Sequence, residues 1–211
     1  MELIADLKKR LGENLPAELA HSRLMTYPRK TAVDILAEKL DVKKSAVLCL
    51  LFEEAGEWKF YLMLRNSYKG VHSAQVSFPG GKREDIDKDY KETALREAEE
   101  ELGINPNEVE ILGELSTMYI PPSNFLVYPF VGVLRVKQNI VPDPLEVKEV
   151  IVANLKDILG LKTVSSSFVK VSGGAGKIKV NHYTVNNHIV WGATGMILAE
   201  LAYILEDLGV E

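Results

Sequence analysis

Helices packed on a mixed β-sheet, an α/β architecture of the α+β kind closed by a C-terminal helix, are what the amino-acid sequence predicts. Three observations point there. Short runs rich in β-branched and aromatic residues are bounded by turn residues, and amphipathic stretches with helical spacing lie among them. The two kinds of segment do not alternate regularly, as they would in a doubly wound parallel sheet. With 211 residues, 46% hydrophobic and 26% charged, the chain has an ordinary globular composition and the length for one domain with an appendage.

Leu3, Ile4, Leu7 and Leu11 recur at helical spacing, and Val33, Leu36, Ala37 and Leu40 do so after Pro28. These helices are expected to form an N-terminal appendage over 1–42, ahead of a domain over 43–211, and an apolar helix pair of this kind is suited to a homodimer contact. Ala46–Phe52 and Trp58–Leu64 read as a hairpin around EEAGE. Asp87 or Asp89 can cap a helix that Gly103 ends, with Pro106 beyond it. Val109–Met118 and Phe125–Val136 read as strands separated by the Pro121–Pro122 turn. Leu155–Leu161 reads as a short helix before a Ser-rich and Gly-rich stretch. Ile178–Val185 and His188–Trp191 form a hairpin around Asn186–Asn187, a good turn pair. Gly192–Leu208 is the closing helix, with Met196, Ile197, Leu201 and Leu205 in the core.

The formal charge of −5, from 25 Lys and Arg against 30 Asp and Glu, argues against a broad nucleic-acid footprint. A small polyanionic partner would need local positive charge. The single cysteine, Cys49, lies in the apolar run AVLCLLF and reads as a buried small hydrophobe, so no disulfide framework is expected. The N-terminal stretch alternates acids and bases, unlike a secretory signal, and no apolar run approaches the roughly 20 residues that span a bilayer. No membrane contact and a cytoplasmic location are therefore expected.

The stretch REAEEELGI concentrates negative charge at Glu97, Glu99, Glu100 and Glu101. Like charges at helical neighbour spacing cost about 0.2–0.5 kcal/mol per pair. At roughly 100 degrees per residue Glu97, Glu100 and Glu101 share one arc, while Leu95, Ala98 and Leu102 face a core and Glu99 falls away from the cluster. Arg96 reaches Glu92, Glu99 or Glu100, but within this helix Glu97 and Glu101 have no lysine or arginine at pairing distance. A divalent cation is one counter-charge, because Mg2+ and Mn2+ favour carboxylate, carbonyl and water oxygens. A solvated acidic face is the other reading of such a run taken alone.

The neighbouring residues bear on that choice. Phe78-Pro79-Gly80-Gly81-Lys82 precedes the helix, and Arg96-Glu97-Ala98-Glu99-Glu100-Glu101-Leu102-Gly103-Ile104 completes a pattern that resembles the Nudix box, G-x5-E-x7-R-E-U-x-E-E-x-G-U. The second half matches at every specified position. In the first half the interval from Gly81 to Arg96 is one residue longer, and Asp87 and Lys88 stand near the place of the earlier Glu. Upstream, LMLRNSYKGVHSAQVSFPGG resembles the stretch that marks the coenzyme A pyrophosphatase branch: Arg65 and Phe78–Gly81 are in register, and His72 and Gln75 fit an H-x-G-Q variant. Gly70 stands where that branch has Arg, and Ala74 where it has Gly. Tyr128–Gly132, Leu145–Val150 and the run from Trp191 also look like this branch, so the resemblance covers about residues 45–205.

The resemblance implies a Nudix α/β/α sandwich and a metal-dependent hydrolase of a nucleoside diphosphate linked to another group, coenzyme A or an acyl derivative first. ADP-ribose, dinucleotides and nucleoside triphosphates are the alternative substrates, and a non-catalytic nucleotide-binding module is the alternative of another class. By the same analogy Glu97, Glu100, Glu101 and the Gly81 carbonyl would hold Mg2+ or Mn2+, and Arg96 would orient the carboxylates. Glu100 or Glu146 would be the base, and Arg65, His72, Gln75 and Lys82 would meet the substrate. If the Arg missing at Gly70 served a 3'-phosphate, coenzyme A and its 3'-dephospho form should be treated almost alike.

Ser172–Lys177 lacks the Gly and the Ser or Thr of a phosphate loop and reads as a hairpin loop. His21, His182 and His188 read as surface or turn histidines, and Lys8-Lys9-Arg10 and Arg29-Lys30 as surface charges.

Overall fold

The computed structural model describes residues 2–66, 75–170 and 176–210. In chain order the helices and strands are α1 (Glu2–Leu11), α2 (Glu18–His21), α3 (Ala32–Ala37), β1 (Lys43–Glu54), β2 (Glu57–Arg65), β3 (Val76–Ser77), β4 (Gly80–Lys82), α4 (Tyr90–Leu102), β5 (Val109–Glu114), β6 (Met118–Ile120), β7 (Phe125–Leu134), β8 (Val147–Asn154), β9 (Val164–Lys170), β10 (Lys177–Val185), β11 (His188–Val190) and α5 (Gly192–Asp207).

β1 is the axis of the fold. It pairs parallel with β7 along its length and antiparallel with β2, which carries β3 and β8, while β5 and β6 lie on β7. A strand buried on both faces reads as a continuous apolar run, which explains AVLCLLF. Its alternate residues divide two cores. Ala46, Leu48, Leu50 and Phe52 pack with Ala94, Ala98 and Leu102 of α4, whereas Cys49 and Leu51 share a cluster with α5. The result is the expected mixed sheet between helical layers, and burial pushes the Cys49 thiol far above its usual range.

α4 begins and ends where local chemistry dictates. The Asp89 side chain accepts from the Glu92 amide at 2.8 Å, and Gly103 takes the left-handed conformation, φ 68°, that a residue with Cβ rarely adopts. The β10–β11 hairpin likewise turns at Asn186 and Asn187, both with positive φ, as a two-residue turn requires.

Several expectations are corrected. Val109–Met118 is not one strand: it breaks after Glu114 and resumes at Met118. Leu155–Leu161 holds two short 3-10 turns, Leu155–Asp157 and Leu161–Thr163, in place of a helix. The Ser-rich stretch contains β9, which pairs with β10 from Tyr183↔Val164 to Lys177↔Lys170. In α3 the buried face is not the one the spacing predicts: Ile35 is buried, and Val33, Leu36 and Leu40 are exposed. Six residues make less than two turns, too few for a helical stripe to be diagnostic. His21 and His182 are buried, not surface residues, each in a hydrogen-bonded setting.

The N-terminal segment shares the main core, since Leu7, Leu11 and Leu24 cluster with α5. Arg23 clamps Glu206 of α5 with two hydrogen bonds of 3.0 and 2.7 Å. Among the described residues no helix is long and apolar enough to cross a membrane.

Candidate active site

Strand β4 brings the glycine pair into place. Ala46 and Val47 of β1 pair with Gly81 and Gly80, so the turn after Phe78 is pinned to the central strand. Gly80 tolerates no side chain, and Gly81 accepts one only if the Glu97 carboxyl group moves. At Gly80, φ 152°, an added Cβ would stand 2.4 Å from the Ala46 carbonyl oxygen; at Gly81 it would stand 2.4 Å from the Glu97 carboxyl carbon. The second contact matters chemically, because only a glycine lets backbone and carboxylate approach this closely.

α4 supplies the acids. Glu97 and Glu101, one turn apart, point to the glycine pair. Glu101 is 1% exposed; its Oε2 accepts from the Gly80 amide at 2.7 Å and its Oε1 from Arg65 Nη1 at 2.9 Å. Burial pushes the Glu101 carboxyl up, to about 8, against the opposing pull of Arg65 and the Gly80 amide. Glu97 is also pushed up, first by burial, with Arg96 opposing and Glu100 and Glu146 adding repulsion. Burial thus outweighs the positive charge that Arg96 and Arg65 bring to these carboxyls. Glu99 is exposed on the far side, as its helical phase requires.

Arg96 ties the assembly together. Its guanidinium lies 3.1 Å from Glu97 and 2.8 Å from Glu100, and donates to the Lys82 carbonyl at 3.1 Å. Its firmest partner is Asp87, which accepts at 2.9 and 3.1 Å and is held in turn by the Glu84 amide and the Thr93 hydroxyl. The bidentate Arg96 contact holds the Asp87 carboxyl down at about 2. Sequence reasoning misses this anchoring role and offers Asp87 as a helix cap, which Asp89 provides instead. The signal that points to the anchor is the position of Asp87 near the place of the earlier acid in the motif.

The other expected residues are placed as follows. Arg65 ends β2, reaches Glu101, and lies 3.7 Å from Glu146, a half-exposed residue. Among the described residues its ion-pair partners are acids of the site. Gln75, Lys82, Arg65, Gly80 and Gly81 all line one cavity of about 380 Å³. Glu97 and Glu101 touch those glycines from behind the cavity wall. His72 and Gly70 lie outside the described residues.

Among the described residues no group of three or more His, Cys, Asp or Glu side chains is arranged to enclose a metal ion. Glu100 explains this: it is 55% exposed and turned to Arg96. Two under-compensated carboxylates beside a glycine backbone fit a divalent cation that completes its shell with water and substrate oxygens, as Mg2+ usually does, and do not fit a closed protein cage.

Comparison with known proteins agrees with the fold and the motif. A NUDIX domain profile matches residues 42–170. Nudix hydrolase 15, mitochondrial, of Arabidopsis thaliana is 35% identical over 79% of this chain, which spans 60% of that relative's length. The peroxisomal coenzyme A diphosphatase NUDT7 of Mus musculus is 33% identical over 84% of this chain and 76% of its own. A solved Ap4A hydrolase from C. elegans, as a binary complex, superposes with a TM-score of 0.52 at 17% identity, covering 79% of this chain and 99% of that one, a likeness of fold. Profile, relatives and architecture converge, and the chain belongs to the Nudix hydrolase family.

Proposed function

We propose that the chain hydrolyses a nucleoside diphosphate linked to a second group, and that this substrate is coenzyme A or an acyl derivative, cleaved to 3',5'-ADP and 4'-phosphopantetheine or its acyl form. The hydrolytic chemistry rests on one observation above all: two carboxylates, Glu101 buried and Glu97 partly buried, whose burial outweighs the positive charge that reaches them, packed on the Gly80–Gly81 wall of a cavity. Support for coenzyme A comes from the run between Arg65 and Gly81, in register with that branch, and from the likeness to the mouse diphosphatase.

Glu97 and Glu101, with the Gly81 carbonyl, would hold Mg2+ or Mn2+, which supplies charge neutralisation at a diphosphate and lowers the pKa of a bound water. Arg96, anchored by Asp87, keeps Glu97 and Glu100 oriented. Arg65 fixes the Glu101 rotamer and presents positive charge to the cavity that the substrate enters. The reaction adds water across one P–O–P linkage, so a base must take a proton from the attacking water. Glu146 is the better supported base, because it is half exposed and its charged neighbour, Arg65, stands 3.7 Å away, whereas Glu100 is held by Arg96 at 2.8 Å.

The test is kcat/KM for coenzyme A, 3'-dephospho-coenzyme A and ADP-ribose at one Mg2+ concentration. Coenzyme A is expected to exceed ADP-ribose. ADP-ribose as the clear best substrate would remove the coenzyme A reading and leave the family assignment standing.

A further inference from the structure

Arg29 lies in the N-terminal segment, ahead of the residues that match the family profile, and stands between the cavity that Gly80, Gly81 and Arg65 line and a small one, about 30 Å³, that Glu18, Tyr119 and Met196 line. Its surroundings differ from those of most other arginines, though Arg83 too meets only carbonyls and a ring among the described residues. Arg10, Arg23, Arg65, Arg96 and Arg135 each meet a carboxylate. Arg29 has no carboxylate partner among the described residues. Its Nη1 stands 3.5 Å from the Tyr119 carbonyl, its Nη2 rests against the Met196 sulfur, a weak acceptor, and its Nε is buried without a partner.

Ser77 and Ser123 also line the larger cavity, and among the described residues their hydroxyl oxygens, closed to solvent in this conformation, have no hydrogen-bond partner either. A buried donor left unpaired costs roughly 1–3 kcal/mol, so three in residues of one cavity wall leave hydrogen-bonding capacity that is available to a ligand once the side chains turn to it. The charge of the wall indicates its sign. Among the described residues the cavity is lined by Arg29, Arg65 and Lys82 and by no Asp or Glu, in a chain whose net charge is −5. A planar guanidinium and hydroxyl groups are the donors that suit the oxygens of a phosphate.

We infer that Arg29, Ser77 and Ser123 form an anion subsite that takes a phosphate monoester carried by the substrate in addition to its diphosphate. The inference rests on the proposed reading of the cavity as a nucleotide site, and it makes the N-terminal segment part of substrate recognition. For coenzyme A the group is the 3'-phosphate, and Arg29 then supplies from another part of the chain the guanidinium that Gly70 lacks. An expectation is thereby reversed: coenzyme A and 3'-dephospho-coenzyme A should not be treated alike.

The experiment compares binding of 3',5'-ADP and 5'-AMP by calorimetry, and kcat/KM for coenzyme A and its 3'-dephospho form, in the wild type and in Arg29→Met. The wild type should favour the 3'-phosphorylated member of each pair by about tenfold or more, the factor that corresponds to about 1.4 kcal/mol. Arg29→Met should bring both ratios close to one. Wild-type ratios near one, or ratios that Arg29→Met leaves intact, overturn the inference. If the methionine variant does not fold, the double variant Ser77→Ala, Ser123→Ala must lower the same ratios, and unchanged ratios overturn it equally. Should coenzyme A resist hydrolysis while 3',5'-ADP binding still depends on Arg29, the substrate proposal falls and the subsite stands.

Discussion

Glu101 and Glu200 are both carboxylates almost closed to solvent, at 1% and 0% exposure, yet their surroundings have opposite consequences. Burial alone would raise both. Around Glu200 on α5 the donors win: His21 Nε2 lies 3.0 Å away, the Ser116 amide and hydroxyl both donate, and the Ala17 amide adds a contact of 3.2 Å. Its carboxyl is held below the usual range. Glu101 has one guanidinium contact and one amide, with Glu97 and Glu146 repelling it, and is pushed up. A satisfied buried acid is a knot of the fold, here joining the N-terminal segment to α5. An acid short of positive charge invites a cation.

The largest expected effect falls on the unsatisfied pair. Glu101→Gln or Glu97→Gln should lower kcat/KM by about a hundredfold or more, roughly 2.7 kcal/mol of transition-state stabilisation, while far-ultraviolet circular dichroism stays unchanged. Excess chelator should do the same to the wild type. Full turnover by either variant, or in chelator, would erase the distinction drawn between the two acids.

Glu200→Ala should invert that pattern, with a stability loss of about 3–5 kcal/mol in urea unfolding, because it strips a buried network of its acceptor. Turnover per folded molecule should hold. A folded, stable but inactive Glu200→Ala protein would place Glu200 in the catalytic machinery.

The pH dependence of stability sharpens the contrast. Glu200, lowered on folding, contributes stability that is present above the unfolded carboxyl value of about 4.3 and is lost as pH falls. Glu101 stands above its unfolded value, so between about 4.3 and 8 the folded state binds more protons and stability falls as pH rises. In chelator, melting temperature should therefore decline from pH 5 to 8, and Glu101→Gln should flatten that decline. Glu200→Gln should flatten the acid limb instead.

Glu99→Gln should have the smallest effect, less than about twofold on kcat/KM, since Glu99 shares the charge run but is exposed on the opposite face. A loss comparable to that of Glu101→Gln would mean that acidity of the run, not helix phase, decides the chemistry.

What was legible in the sequence follows interaction range. The limits of α4, the Asn186–Asn187 hairpin and the division of Glu97 and Glu101 from Glu99 all depend on neighbours a few residues apart, where capping, left-handed glycine and helical phase act. Strand β8 was missed because its apolar residues acquire meaning only from the pairing with β2 across the sheet. The candidate site divides in the same way. Its acids, its glycines and Arg96 stand in one motif, but the partner of Glu101 does not: Arg65 reaches it from 36 positions away, and Asp87 meets Arg96 only because the turn before α4 folds back on that helix. The sequence by itself determined which face of α4 carries the carboxylates, because helix geometry is local. Only the tertiary structure decided that Glu101 is buried against Gly80, that Glu200 is fully satisfied, and that Arg29 lines the cavity, because solvent exclusion and charge compensation depend on segments that the chain brings together from far apart.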